Sequence, residues 1–329
     1  METEPTPPSQ GGNEHGRLNE RWPALPLEAW SDTCDTLHMW VQIVGKVKLT
    51  LSPFQNQWWQ VAFQPTARGL ATGPIPSGDG VFEAEFDFVD HNLVLRTSDG
   101  RSKALALMPG SVSDFYHHFM SALGALGIEV RINTLPVEIP NPIPFEADHE
   151  HASYDPDYVH RWWRILTRTA TIMEQFRSPF VGKCSPIQFF WGSFDLTETR
   201  FSGRPAAPPP GVPRFVQLAE DQENMACGFW PGNTAASGVT LGQPAFYAYS
   251  YPEPAGFKEA SVRPGEARYH EKLGEFILFY EDVRHADLPE RAIRDFFESS
   301  YEAAATLAHW DRHRLERRGE LVQVRTSTR

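Results

Sequence analysis

The stretch VFEAEFDFVD, residues 81–90, shows the clearest period of two along this chain. Phe82, Ala84, Phe86 and Phe88 alternate with acidic residues in it. Successive side chains of a β-strand point to opposite faces of a sheet, so this alternation is typical of a half-buried strand. We therefore predict a strand here, with its aromatic face turned towards a core.

Similar patterns on both sides of this stretch predict a sheet of about five strands. Gln42–Ser52 and Trp58–Gln64 precede it with alternating apolar residues, and Leu93–Thr97 and Lys103–Met108 follow it across short polar turns. Short turns between alternating runs favour antiparallel pairing. The first part of the chain is therefore predicted to form an antiparallel sheet.

Two helices are predicted next, separated by a connector. Apolar residues recur at helical spacing up to Gly127, and either Ser111 or Ser113 can cap this helix. Residues 135–157 contain five prolines, which are incompatible with a helix interior or a central strand. A second helix is predicted from the capping residue Asp155, with proline in its first turn, to about residue 177.

Strand patterns return in the second half of the chain. They cover Ile187–Arg200, Met225–Trp230, Ala245–Tyr251 and Glu275–Glu281, and a closing helix is predicted over Leu288–His309. The predicted fold class is therefore α+β, with two similar halves, each an antiparallel sheet closed by a helix.

Short identities between the halves suggest an internal duplication as a hypothesis. The matching pieces are Val44–Phe54 with Trp191–Phe201, Phe82-x-Ala84 with Phe246-x-Ala248, and Asp114-Phe115 with Asp295-Phe296. The predicted organisation is a disordered tail (1–17), an N-terminal half (18–134), the proline-rich connector (135–157), a C-terminal half (158–311) and a basic tail (312–329).

Composition excludes several classes of function. The 329 residues include 42 acidic and 30 basic ones, a net charge of −12, which argues against a nucleic-acid-binding protein. No apolar run is long enough for a membrane span and no signal peptide is evident, so we expect a cytoplasmic protein that does not bind membranes. The three cysteines are far apart, which favours neither disulfides nor a cysteine zinc site.

Five phrases of unusual composition resemble a bacterial family of uncharacterised proteins, domain of unknown function 5996. They are LHMWVQIVGKVKLTLSPFQNQWW, TARGLATGPIP, QFFWGSFDLTETRFSGR, GFWPGN and FYAYSYPEP. The resemblance extends from about Leu18 to Arg312. It implies no reaction, cofactor or catalytic residue.

The densest candidate site lies between residues 187 and 204. Asp195 is followed there by Arg200 and Arg204. One interpretation is a structural ion pair between Asp195 and an arginine, and the other is a clamp for an anion, because guanidinium groups bind carboxylates and phosphates through two hydrogen bonds.

Aromatic residues supply the second candidate. Tyr247, Tyr249 and Tyr251 share one face of a predicted strand and either line a pocket or form a ladder on the sheet. Together these patterns predict a cleft between the halves that binds a small anionic or ring-bearing molecule. The predicted ligand-binding residues are Trp59, Arg68, Trp191, Asp195, Arg200, Arg204, Trp230, Tyr247 and Tyr249.

Two alternatives remain open at this point. One is a hydrolase-like or metal-dependent enzyme that uses Asp195 with His151 or His160, and the other is a structural or adaptor protein. The cluster at residues 148–151, DHEH, has metal-ligating side chains, but its place in a proline-rich connector favours a solvated loop, and we predict no metal site. The sequence identifies no cofactor, catalytic residue or oligomeric state.

Overall fold

The computed structural model describes residues 21–208, 210–234 and 238–317. The predicted tail 1–17 lies outside these ranges, as do residues 318–329 of the predicted basic tail. None of the helices in the described ranges is long and apolar enough to cross a bilayer.

The first sheet contains six antiparallel strands. Strand β4 (Gly80–Asp87) is central, and its side chains at positions 82, 84 and 86 are fully buried, as the period of two predicts. The strand order is β1-β2-β4-β5-β6, and β3 pairs separately with β4. The remaining strands are β1 (Gln64–Pro65), β2 (Gly69–Ala71), β3 (Ile75–Ser77), β5 (Asn92–Thr97) and β6 (Ser102–Ala106).

The second sheet is also antiparallel and six-stranded, with the order β11-β12-β10-β9-β8-β7. Its strands are β7 (Gln188–Phe190), β8 (Asp195–Pro205), β9 (Gln222–Trp230), β10 (Ala245–Tyr251), β11 (Arg268–His270) and β12 (Glu275–Phe279). Phe63, just before β1, and Phe189 on β7 exchange two backbone hydrogen bonds of 2.8 Å. The edge strands of the two sheets are therefore joined.

Helices connect and cover the sheets. Ser111 caps α2 by accepting a hydrogen bond from the Asp114 backbone, and Asp155 caps α3 in the same way, as predicted. The helices are α1 (Ser31–Leu51), α2 (Val112–Ala125), α3 (Pro156–Arg177), α4 (Arg214–Ala219), α5 (Tyr280–Arg284), α6 (Pro289–Leu307) and α7 (Arg312–Leu315). Short 3₁₀ helices span Leu27–Ala29, Asn56–Trp58 and Phe145–Ala147. The fold class is α+β.

Helix α3 lies between the sheets and joins their cores. The Trp162 ring stacks on Phe194 at 4.9 Å and contacts Phe88 of the first sheet and Phe189 of the second edge-on. Buried apolar side chains from both halves form one continuous cluster.

The predicted strand over Gln42–Ser52 is wrong, because this segment belongs to helix α1. Ile43, Val47 and Leu51 are four residues apart, a spacing that suits a helix as well as an alternating strand. The segment is enclosed on nearly all sides, so its lysines are also buried. Lys48, for example, donates a 2.6 Å hydrogen bond to the Ala62 carbonyl.

Two other predicted strands need correction. Trp58–Gln64 is mostly irregular, because Gln57 and Trp58 adopt left-handed φ angles of 48° and 63° that interrupt an extended chain. Ile187–Arg200 is a hairpin rather than one strand. Residues 191–194 form its turn, in which Phe194 has a φ of 62°.

The internal duplication stays a hypothesis. The pieces Val44–Phe54 and Trp191–Phe201 adopt different structures, because the first lies mainly in α1 and the second in the β7–β8 hairpin. The other two matches fall on elements of the same kind. The Phe82-x-Ala84 match relates strand β4 to strand β10, and the Asp114-Phe115 match relates helix α2 to helix α6.

Candidate functional site

A cavity of about 660 Å³ lies on one face of the second sheet. Helix α4, the 3₁₀ helix Asn56–Trp58 and residues 137–138 of the connector also contribute to its walls. Helix α6 packs on the other face of the sheet, where Phe297 contacts Phe246. The aromatic residues that line the cavity are Trp58, Trp59, Phe190, Trp191, Phe201, Phe215, Trp230, Tyr247 and Tyr249.

Tyr247 reaches Asp195 by crossing over the strand between them. Tyr247 on β10 lies opposite Gly228 of β9, and Gly228 lies opposite Thr197 of β8. A Cβ atom on Gly228 would be 2.7 Å from the Tyr247 hydroxyl oxygen, so only glycine leaves room for the ring. The hydroxyl then donates a hydrogen bond to Oδ2 of Asp195, and Ser193 donates to Oδ1.

These hydrogen bonds stabilise a carboxyl group that is otherwise unfavourably buried. Burial raises the pKa of Asp195, and the hydrogen bonds from Ser193 and Tyr247 oppose part of that rise. Burial and the nearby Asp195 also raise the pKa of the Tyr247 phenol well above its usual value. Tyr247 therefore remains a hydrogen-bond donor at neutral pH.

Two further carboxyl groups, those of Glu138 and Glu275, line the cavity with raised pKa values. Burial is the main cause and Asp195 the second, and together they raise the pKa of Glu138 to about 7 and that of Glu275 to about 8. No opposite charge or hydrogen bond from the described residues offsets either rise. The Glu138 carboxyl packs against Gly192, and its own backbone has a left-handed φ of 58°.

Glu220, at the C-terminal end of α4, is the fourth carboxyl group of the cavity. Asn224 donates a 2.6 Å hydrogen bond to its Oε2, and the Tyr249 hydroxyl lies 3.4 Å from its Oε1. Burial raises its pKa despite these two donors. Tyr249 also stacks on Tyr247, with a ring separation of 6.3 Å.

Helix α1 holds two cavity segments in place. His38 Nε2 lies 3.0 Å from the Trp191 carbonyl oxygen and 2.9 Å from that of Gly192. Because carbonyls only accept, Nε2 carries the proton, and burial lowers the pKa of His38 to about 4. One turn later, Gln42 exchanges hydrogen bonds of 2.8 and 2.9 Å with the backbone of Val137. The histidine in this cavity is therefore neutral and structural.

Several buried polar atoms on the cavity wall have no hydrogen-bond partner among the described residues. Gln188, only 1% exposed, has neither its amide nitrogen nor its oxygen paired, and Oδ1 of Asn224 and Oε1 of Gln57 are also unpaired. Buried polar groups are nearly always hydrogen-bonded in folded proteins. All three residues line the cavity, so a polar molecule bound there is a candidate partner for these atoms.

Comparison with known proteins identifies one family. The family of unknown function DUF5996 matches residues 22–317, which is most of the chain. The chain belongs to the DUF5996 family. The resemblance drawn from the sequence phrases is thereby confirmed. No curated protein and no solved structure matches the chain.

In this DUF5996 protein, six of the nine predicted ligand-binding residues line the cavity. They are Trp59, Trp191, Asp195, Trp230, Tyr247 and Tyr249. The strand period explains part of this convergence, because positions 195, 197, 199 and 201 of β8 share the face that borders the cavity.

The three predicted arginines lie elsewhere. Arg200 is on the opposite face of β8, where it pairs with buried Glu198 at 3.2 Å, donates to the Phe176 carbonyl and packs on the Phe176 ring. Arg68 in the first sheet binds Asp87 and Asp90. Arg204 binds Glu223 at 2.6 Å. The structure therefore forms neither the predicted Asp195–arginine pair nor an anion clamp in the cavity.

Of the residues considered for an enzyme, Asp195 lines the cavity, but His151 and His160 do not. Asp148 accepts two backbone hydrogen bonds and a 2.8 Å contact from His151 Nδ1, which is a local structural arrangement. His160 lies 3.1 Å from the Phe88 carbonyl oxygen. Within the described ranges, no three His, Cys, Asp or Glu side chains converge closely enough to hold a metal ion.

Sequence reasoning missed Glu138, Gln188, Glu220 and Glu275. Glu138, Gln188 and Glu275 are isolated polar residues within or beside apolar segments, and Glu220 begins a polar run, EDQEN, so no recognisable motif marks any of them. A weak signal for Glu275 was its position at the first residue of a predicted strand, where a side chain at the sheet edge faces either solvent or a cleft.

Proposed function

We propose that this DUF5996 protein binds a small ring-bearing molecule in the cavity on the second sheet. The cavity volume of about 660 Å³ suits a ligand of one to three rings, since small-molecule sites typically span about 300–1,000 Å³. Nine of the described side chains that line the cavity are aromatic and offer flat apolar surface to a ring.

The observation that carries this proposal is the unpaired amide of Gln188. Its side chain is buried at the cavity wall, and both of its polar atoms lack partners within the described part of the chain. Leaving buried polar atoms unpaired costs about 1–3 kcal/mol per group. A polar ligand edge that pairs with this amide would recover that free energy and orient the ring.

The anionic ligand considered from the sequence is not part of this proposal. That expectation rested on arginines, and the described residues that line the cavity include no arginine or lysine. Four carboxyl groups of the described residues line it instead. When they are ionised, their negative potential opposes an anion.

Two measurements test the proposal. Native and denaturing mass spectra of freshly purified protein should differ by a small molecule that is lost on denaturation. Calorimetric titration with a panel of one- and two-ring compounds should then detect binding to the parent protein.

A variant that fills the cavity locates the binding site. Thr199→Trp places a large ring in the cavity wall and should abolish binding, whereas Ser102→Trp, at an exposed position of the first sheet, should leave it unchanged. If the whole panel fails to bind, or if Thr199→Trp binds as tightly as the parent, the proposed site is wrong. A cytoplasmic location remains a prediction from the sequence.

A further inference from the structure

The described wall of the cavity carries acidic side chains without a cationic side chain to balance them. Asp195 on β8, Glu138 on the connector and Glu275 on β12 all border it. The described lining contains no arginine or lysine, and its histidine, His38, is neutral because burial lowers its pKa more than the two carbonyl oxygens that accept from it raise it. Nothing on the described wall compensates these carboxylates when they are ionised.

Asp195 interacts with both of the other carboxyl groups. Its charge raises the pKa of Glu138 and of Glu275, so the ionised form of Asp195 repels the ionised form of each glutamate. Like charges gathered in a site of low dielectric destabilise the ionised forms unless a positive charge enters. A cationic ligand would relieve this repulsion, and a neutral ligand would not.

The remaining wall suits an organic cation rather than a bare metal ion. The described carboxyl groups do not converge closely enough to form a three-ligand metal site, so they surround a larger space. The stacked rings of Tyr247 and Tyr249 attract cations through their faces. The unpaired oxygens of Gln188 and Asn224 can accept hydrogen bonds from an ammonium group.

We infer that the ligand of this cavity is an organic cation, an ammonium group attached to a ring, with its charge among Glu138, Asp195 and Glu275. This inference rests on the proposed function and adds the sign of the ligand's charge. The ring occupies the aromatic part of the cavity, and the ammonium group lies at the carboxylates.

Compounds that share a ring and the length of its side chain but differ in charge test the inference. Phenethylamine and tryptamine are cations at pH 8, phenylacetamide and indole-3-acetamide are their neutral counterparts, and phenylacetate and indole-3-acetate are the anions. At pH 8 and fixed ionic strength, calorimetry should show each cation binding at least about tenfold more tightly than its neutral counterpart, a ratio equivalent to about 1.4 kcal/mol. The anions should bind more weakly still.

Charge-neutralising variants then identify the responsible groups. Glu275→Gln and Glu138→Gln should each weaken cation binding several-fold and leave the affinity for the neutral amides unchanged. Glu271→Gln, at an exposed position close to Glu275 in sequence, is the matched control and should leave every affinity unchanged. Circular dichroism of each variant confirms that it is folded.

The outcomes separate this inference from the proposed function. If the neutral amides or the anions bind as tightly as the cations, the inference is wrong and the ring-binding proposal stands. The inference is also wrong if the cations bind best but neither glutamine variant weakens them. If no compound of either series binds, the proposed function fails and the inference fails with it.

Discussion

Replacing Glu275 by glutamine should stabilise the unliganded protein at pH 8 and change its stability little at pH 5. The carboxyl group of Glu275 has a pKa of about 8 in the folded protein, against an ordinary value of 4.5. Between these two values the folded state holds a proton that the unfolded state has released. The contribution of this carboxyl group to the free energy of unfolding is therefore fully present below pH 4.5, and it is lost as the pH rises towards 8.

The size of the effect follows from this rise in pKa. Each pKa unit corresponds to about 1.4 kcal/mol, so the rise sets an upper bound of about 5 kcal/mol at high pH. Glu275 is half-buried and borders an open cavity, where water screens its charge. We therefore expect a gain of about 1–2 kcal/mol for Glu275→Gln at pH 8.

The effect of Glu275 on stability must be separated from the effects of the titratable groups around it. The charge of Asp195 raises the pKa of Glu275, and the charge of Glu275 in turn raises the pKa values of Tyr249 on β10 and Tyr269 on β11. His270 is the neighbour of Glu275 across the β11–β12 pair. All of these groups remain in the variant, so the difference between variant and parent isolates the proton on Glu275.

Urea unfolding at pH 5, 6, 7 and 8, followed by tryptophan fluorescence, measures the free energy of unfolding of both proteins. The stability difference should grow with pH, and Glu271→Gln should show no such growth. A difference that is constant across the pH series, or that shrinks towards pH 8, would refute the assignment of a raised pKa to Glu275.

Two further substitutions test the packing around the cavity by the same unfolding assay. Gly45→Ala places a Cβ atom 2.4 Å from the Trp191 ring and should lower the free energy of unfolding by about 1–3 kcal/mol. Gly124→Ala is the control, because its Cβ atom meets no atom within 4 Å, and it should be neutral or stabilise the protein by up to about 1 kcal/mol. Equal effects would contradict the close packing at Gly45. Arg200→Met leaves Glu198 buried without its partner and should lower the free energy of unfolding by about 3–5 kcal/mol. The double variant Arg200→Met/Glu198→Gln removes the buried charge as well and should recover most of this loss. A stable single variant would show that the pair contributes little.

Elements with a local signal were predictable from the sequence. Strands β4 and β10 alternate strictly, and helices α2 and α3 carry capping residues and apolar faces of helical period. The sequence did not predict helix α1, because this helix is buried on nearly all sides. It therefore has no separate apolar and polar faces, and its sequence shows no helical period of polarity.

The site was predictable only where it follows a single strand. Asp195, Tyr247 and Tyr249 could be assigned to strand faces from the period of two, and the structure places all three at the cavity. Arg200 was misplaced because proximity in sequence was given more weight than strand parity, which puts residues 195 and 200 on opposite faces. The predicted division into two halves around a connector stays a prediction.

The sequence by itself determined the family, the α+β class and the orientation of side chains within the regular strands, because these depend on composition and on periods of two to four residues. Only the tertiary structure decided that the cavity is acidic. Glu138, Asp195 and Glu275 come from segments far apart in the chain, and the folding of the connector and the hairpins brings them together. No local sequence pattern predicts that these carboxyl groups lie in one cavity. Their effect on one another depends on their distances in space and on their burial, which the tertiary structure sets.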